Sequence, residues 1–405
     1  MLNWAKQFNI FCFLDNQQYS VQPQEYECLL AAGVDRFVQS GNANELDVFL
    51  SEKNDWVFGH LAYQLKDQLH FPGQKKDRIG FPPCYFFVPR FLLLIQGNEL
   101  SITAAEPERL YQTIMAQPVL DEAATGAVAM QPTLTRAQYI EKIKKLQAHI
   151  LRGDCYEINF CQEFFCEHAL VDCHAVFQKL MAVSPNPFSA LYRLGDKYVL
   201  CASPERFLSR RQNKLVSQPI KGTIGRNTWS QAEDDKRSKE LQSSEKDRSE
   251  NVMVVDLVRN DLAKICEDGS VHVDELFGIY SYPQVHQMIS TISGKLKSGT
   301  RFSEILQASF PMGSMTGAPK HRVMELIDEL EEQGRGIFSG SVGYIKPGGD
   351  FDFNVVIRSI MYNATEKYLS YQVGSGITFY SQPEKEWEEC LLKAEAMKSV
   401  LEGGQ

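Results

Sequence analysis

The chain has 405 residues, enough for one large elaborated domain or two and for a sizeable buried core. Hydrophobic residues make up 43% and charged residues 23%, the balance of an ordinary globular protein. A formal net charge of −9 argues against general nucleic-acid binding, which needs a basic surface, but leaves room for a small anion held by a locally basic pocket or a metal.

The ten cysteines are scattered and form no CxxC pair, and no charged start with an apolar run precedes them. They read as reduced thiols of a cytoplasmic protein. Within Cys161–His174, the residues Cys166, His168, Cys173 and His174 fit no usual zinc spacing. No apolar run reaches the roughly 18 residues of a membrane span, so none is expected.

Short apolar runs separated by polar turns fill the first 115 residues: Phe11–Leu14, Val57–Leu65, Tyr85–Val88 and Phe91–Ile95. This predicts a strand-rich region over 1–130, with small residues at Ala116–Leu134 linking it to a second region over 131–405. Thr135 with Gln138 has the form of a capping box, and Tyr139, Ile143, Leu146 and Ile150 share one face up to Gly153, so a packed helix is expected there. Strand-like and helical segments then mix without a βαβ rhythm, which predicts an α+β fold with large, mostly antiparallel sheets. No GxGxxG or GxxxxGK[ST] segment supports nucleotide binding.

Between Lys197 and Arg226, two apolar-rich runs flank Gln212-Asn213, the form of a hairpin. Folding about that turn sets Glu205 beside Lys221 or one step from it. The pair suits a cross-strand ion pair, or an amine and a carboxylate poised for nucleophilic and acid–base work. Gly222 and Thr223 add a close backbone approach and a hydroxyl donor for an anion. From Asn227 to Glu250, 12 of 24 residues are charged, which suits a solvated loop or helix or a cover over a site. Ser244–Cys266 reads as a helix with an apolar stripe of Val254, Leu257, Val258 and Leu262 and with Glu250 near its start.

Gly313–Lys320 precedes a helix beginning near His321, whose free N–H groups and dipole favour an anion. Arg358 can grip a carboxylate with two parallel hydrogen bonds, and Gly374-Ser375-Gly376 offers backbone amides. In a helix over Glu384–Ala396, Glu386, Glu389 and Lys393 share a face while Trp387, Leu391 and Ala394 point towards packing. Helical carboxylates are ordinarily solvated. Should Glu250 and Glu389 converge, their hard oxygens would suit magnesium completed by water and a substrate carboxylate. Together these segments describe a pocket for a small polyanion.

The motifs GDCYEINFCQEF (Gly153–Phe164), SPERF (Ser203–Phe207), PIKGT (Pro219–Thr223) and KDRSENVMVVDLVRNDL (Lys246–Leu262) occur in that order. They are followed by VHQMIST (Val285–Thr291), GSMTGAPK (Gly313–Lys320), RGIFSGSVGYI (Arg335–Ile345), DFNVVIRS (Asp352–Ser359) and GSGITFYSQPEKEWEE (Gly374–Glu389). The set resembles the chorismate-utilising enzymes, the family of anthranilate, aminodeoxychorismate and isochorismate synthases, over roughly Thr135–Leu401. The first 130 residues match only loosely.

The resemblance implies an anthranilate synthase component I-like fold, a sandwich of two large sheets with flanking helices. It implies magnesium on Glu250 and Glu389 with Glu386 close by. Arg358 and Tyr344 would hold the enolpyruvyl carboxylate. Thr316, Thr223, Lys393 and the Gly374, Ser375 and Gly376 backbone would make further substrate contacts. His286 would lie near the ring, and Glu205 would assist departure of the 4-hydroxyl.

Within the family, PIAGT marks anthranilate synthases and PIKGT aminodeoxychorismate synthases. Lys221 therefore implies the second branch, for p-aminobenzoate and folate biosynthesis, with anthranilate synthase component I as the alternative. In the implied mechanism, the Lys221 amine attacks ring carbon 2 while Glu205 protonates the departing 4-hydroxyl. Ammonia then adds at carbon 4 and expels the lysine.

Isochorismate and salicylate synthases carry a basic lysine near the position of Gln162 or its neighbours, and none stands in that segment. No glutaminase portion is recognisable, so ammonia or a separate glutamine amidotransferase subunit is expected as partner. The usual arginine-proline after PIKGT is replaced by Ile224-Gly225, and the usual ADS by Phe379–Ser381. No LLES segment is present, so tryptophan regulation is not expected.

Overall fold

A computed structural model describes residues 1–403 apart from Ser20, Gln22, Gln24, Gly41, Phe71, Pro72, Gln74, 119–126 and Pro283. The middle of the expected linker Ala116–Leu134 therefore lies outside the described residues. Two large antiparallel sheets face each other.

The first sheet runs Gly317–Ala318, Glu157–Cys166, Tyr368–Ile377, Ser359–Asn363, Lys197–Ser203, Phe188–Leu194, Ile10–Asp15, Cys28–Ala32, Phe91–Gln96, Glu99–Thr103, with Gln131–Pro132 also paired to Glu157–Cys166. The second runs Ile220–Gly225, Val285–Lys295, Lys214–Gln218, Arg206–Arg211, Phe351–Asn354, Ser341–Ile345, Val57–Leu61, Cys84–Val88, Arg36–Gln39, with His272–Ser281 against Val285–Lys295. The expected α+β sandwich is the one observed. Strands from 1–130 extend both sheets: Ile10–Asp15 pairs with Phe188–Leu194, and Val57–Leu61 with Ser341–Ile345.

Both faces of the sheets alternate as the pleat dictates. Inward residues such as Cys12, Tyr192, Val199, Phe58, Phe86 and Phe353 fill the space between the sheets. Outward ones such as Phe11, Leu30, Leu191, Leu200 and Ile360 pack under helices Arg136–Leu151, Cys173–Val183 and Pro383–Glu402. Each large apolar side chain buried this way contributes about 1.5–3 kcal/mol.

The helix predicted after Thr135 spans Arg136–Leu151, with both bonds of the capping box made and Tyr139, Ile143 and Leu146 buried. The charged stretch after Asn227 is helical over Gln231–Ser243, and Ser244 then caps a helix over Glu245–Ala263. Leu391, expected to pack, is 41% exposed on Pro383–Glu402, while Ala394 is buried and Trp387 packs against the core. Among the described residues no helix is long and apolar enough to cross a membrane.

Candidate active site

The hairpin register follows the predicted turn: Arg211 opposes Lys214, Arg210 Leu215 and Ser209 Val216, after which a shift puts Arg206 opposite Gln218. Past that shift, Ile220–Gly225 leaves the hairpin partner and pairs with Val285–Lys295, itself with an irregularity between Ile220 and Thr223. Gly222 takes a φ of +94° there, a conformation L side chains resist. The consequence is directional: Lys221 turns into the protein at 9% exposure, while Thr223 is exposed.

Lys221 Nζ lies 2.5 Å from Glu157 Oε1, with Glu157 itself 1% exposed. The two come from opposite sheets, so the pair sits where the edge strand of the second meets the end of the first. Gly376 lies beneath it. A methyl group there would come within 2.8 Å of Lys221 Nζ and 2.9 Å of Glu157 Oε1, so only glycine permits the approach. Burial alone would disfavour the ammonium, but Glu157, Glu250 and Glu205 reverse that and hold Lys221 protonated above the usual lysine value.

The expected direct pairing of Lys221 with Glu205 is not made: Glu205 is a neighbouring charge, and its carboxylate accepts a 2.6 Å hydrogen bond from Ser314 Oγ. Burial pushes the Glu205 carboxyl up to about 7, against the opposing pull of Ser314 and Lys221. A carboxyl of that kind is available as an acid near neutrality.

Glu250, Glu386 and Glu389 each approach one ammonium, that of Lys246. Lys246 Nζ stands among them, 3.8 Å from Glu250, 3.3 Å from Glu386 and 3.7 Å from Glu389. Burial, ahead of the pull from Lys221, raises Glu250 to about 7, whereas Lys393 at 2.8 Å draws Glu389 down to about 2. Buried Glu250 Oε1 and Glu386 Oε2 have no hydrogen-bond partner.

Among the described residues no three side chains of ligand type converge closely enough to hold an ion by themselves. The donor set nevertheless fits magnesium, which keeps several waters and takes one or two carboxylates, and the two orphaned oxygens lie in the same cluster. Lys246 is half-exposed, and its ammonium is a positive charge shared by the three carboxylates.

The anion-binding candidates divide. Arg358 is held at φ +49°, and burial lowers its pKa, opposed only by nearby Tyr282. No hydrogen bond or ion pair of its guanidinium is formed among the described residues, which suits a carboxylate supplied from outside.

Tyr344 is not brought to it. Its hydroxyl lies 3.5 Å from Arg211, its ring packs on Tyr26, Trp56 and Phe58, and it lines a different cavity between the sheets with Asp15 and Asp352. Strand alternation accounts for this, since Tyr344 pairs with Phe58 and Asp352 in the middle of the second sheet. Buried Thr316 spends its hydroxyl on the Met312 carbonyl, and Lys393 donates to the Gly374 carbonyl at 3.0 Å. Ser375 Oγ is buried without a partner.

His286 is buried beside Ile224, its Nδ1 2.8 Å from Ser281 Oγ and its Nε2 3.1 Å from Asp234 Oδ1. Arg226, at 2.6 Å, holds the Asp234 carboxyl well below the usual range. Both ring nitrogens of His286 are thus engaged by the protein, and its ring orientation is fixed.

Glu157 is the site residue that spacing did not reveal. Gln162, the strand position weighed instead, faces helix Pro383–Glu402, with its amide 3.9 Å from Cys390 Sγ. The available signal was an acid inside an otherwise apolar strand. Arg335 ties the floor together: it pairs with Glu331 and donates to the carbonyls of Met315 at 2.6 Å and Asn159 at 2.8 Å.

A family model described as chorismate binding enzyme matches residues 7–399. Aminodeoxychorismate synthase component 1 of Klebsiella aerogenes is 36% identical over 357 residues, covering 85% of this chain and 77% of that protein. Its namesake from Escherichia coli K12 is 40% identical over 272 residues, 67% of this chain but only 59% of the relative. Anthranilate synthase component I of Streptococcus pneumoniae TIGR4 superposes with a TM-score of 0.81 at 23% identity, over 94% of this chain and 93% of that one. The menaquinone-specific isochorismate synthase MenF of E. coli does so at 0.80 and 18%, over 99% and 91%. At these identities the structural likenesses speak for the fold.

Proposed function

The chain belongs to the family of chorismate-binding enzymes, and from that premise we propose that it aminates chorismate at ring carbon 4, giving 4-amino-4-deoxychorismate for p-aminobenzoate and folate synthesis. The observation that carries this reading is the buried Lys221 amine beside Glu157 and Glu205, in the segment Pro219–Thr223.

Arg358 receives the enolpyruvyl carboxylate, and the strand stretch Gly374–Gly376 lies under the ring. The Lys221 amine bonds to carbon 2, the ring double bonds shift, and the carbon 4–oxygen bond breaks. Glu205 places its proton on the departing hydroxyl, which leaves as water. Ammonia then bonds to carbon 4, and the reverse shift expels the lysine. His286, held by Asp234 and Ser281, walls the ring side. Magnesium, when bound by Glu250 and Glu389 with Glu386 behind them, would supply positive charge for the ring carboxylate.

The division near residue 130 is one of role: 131–405 carries the chemistry, and 1–130 completes the two sheets. Ammonia reaches the site free or from a separate glutamine amidotransferase subunit, in the cytoplasm.

Incubation with chorismate, ammonium and magnesium is expected to yield aminodeoxychorismate by chromatography, with none after chelation. Direct appearance of fluorescent anthranilate would overturn the reading in favour of the anthranilate synthase branch.

Glu205 must be protonated to act as an acid, and its proton is lost as pH rises through about 7. The rate at saturating ammonia should therefore fall about tenfold per pH unit above that point. Glu205→Gln should remove this limb from the pH profile and lower the rate roughly 10²–10⁴-fold.

A further inference from the structure

We propose that Glu157 is the proton acceptor that converts the Lys221 ammonium into the attacking amine. This inference rests on the covalent reading above and assigns a role that reading leaves empty. A lysine held as an ammonium has no lone pair, so attack on carbon 2 requires a base within reach of Nζ. Glu157 Oε1 is that base by position, at 2.5 Å, and its other oxygen, Oε2, is buried with no hydrogen-bond partner.

Among the described residues, none of the other acids around Lys221 makes an ion pair with its ammonium. Glu205 is bonded to Ser314 and is needed as the acid, while Glu250 and Glu389 face Lys246. Gly376 lets bare backbone lie against both partners of the pair.

The step balances. One N–H bond of Lys221 breaks, with its proton moving to Glu157 Oε1, and the freed pair forms the Nζ–carbon 2 bond. The ring π electrons shift, and the carbon 4–oxygen pair leaves with the Glu205 proton as water. When ammonia expels the lysine, the neutral amine takes its proton back from Glu157, and the incoming nitrogen returns one to Glu205. Glu157 is thus restored without solvent.

The test follows adduct formation on the intact protein by mass spectrometry, with chorismate and magnesium but no ammonia. Wild type should gain the mass of chorismate less one water, and Lys221→Ala should gain none. Glu157→Gln, which keeps shape and removes basicity, should form the adduct at least about 100-fold more slowly, with the chorismate KM within about threefold of wild type. Glu157→Ala should regain rate in proportion to added formate, and it carries the test should the glutamine variant fail to fold.

An adduct rate in Glu157→Gln within about threefold of wild type, or no formate response in Glu157→Ala, overturns the role of Glu157 alone. Absence of any adduct in wild type overturns the covalent reading and this inference with it.

Discussion

Lys221→Ala is expected to cut formation of 4-amino-4-deoxychorismate by at least about 10³-fold, because it removes the nucleophile rather than weakening binding. The loss should fall on kcat, since the groups assigned to the carboxylates, Arg358 and the acidic cluster, are untouched. The variant also leaves Glu157 buried without its counter-charge. An uncompensated buried carboxylate should lower the stability of the fold. A melting curve beside the assay separates the two effects. We further expect ammonia or other small nucleophiles to react partly at carbon 2 in the space the lysine vacates, detectable as a fluorescent anthranilate-type product. Unchanged amination at carbon 4 would refute the covalent role.

The largest stability effect is expected at Arg335, far from Lys221 in sequence but bonded to backbone close to two site residues. Its guanidinium is fully enclosed, bonded to Glu331 through Nε at 2.9 Å and Nη2 at 2.6 Å, to two backbone carbonyls and to Ser339 Oγ, with its plane 4.8 Å from the Tyr63 ring. Arg335→Leu removes one member of a buried pair and leaves Glu331 charged in an apolar setting, a change worth about 3–5 kcal/mol. Urea denaturation should register the loss as a lower midpoint at unchanged slope. The bonded carbonyls belong to Asn159, two residues from Glu157, and Met315, next to Ser314. A folded Arg335→Leu fraction should therefore also show a reduced kcat. A variant as stable as wild type would mean that Glu331 finds another partner.

How much of this was legible without coordinates depended on whether the contact was local. The Gln212-Asn213 turn set the hairpin, so Glu205 could be placed near Lys221 by counting back from it. The direct partner, Glu157, lies 64 residues away on the other sheet, beyond any periodicity. Glu386 and Glu389 could be assigned to one face from their spacing, but that Glu250 on a separate helix shares a neighbour with them is a tertiary fact.

Tyr344 shows the opposite failure. Position in a motif suggested a substrate contact, and the pleat turned its ring into the core beside Trp56. The polar atoms of Lys393 and Thr316 serve backbone carbonyls, which depends on geometry a residue name does not carry. Leu391 faced solvent because its helix covers the first sheet with a narrower stripe than its residue types suggested.

The interleaving of the earliest strands with the latest sets the order in which the molecule can be made. Val57–Leu61 waits for Ser341–Ile345, so the second sheet stays split until most of the chain has left the ribosome. During that wait Val57–Leu61, paired on one side with Cys84–Val88, leaves its other edge open. Such long-range pairing makes folding slow and places its hazard at the start of synthesis rather than the end.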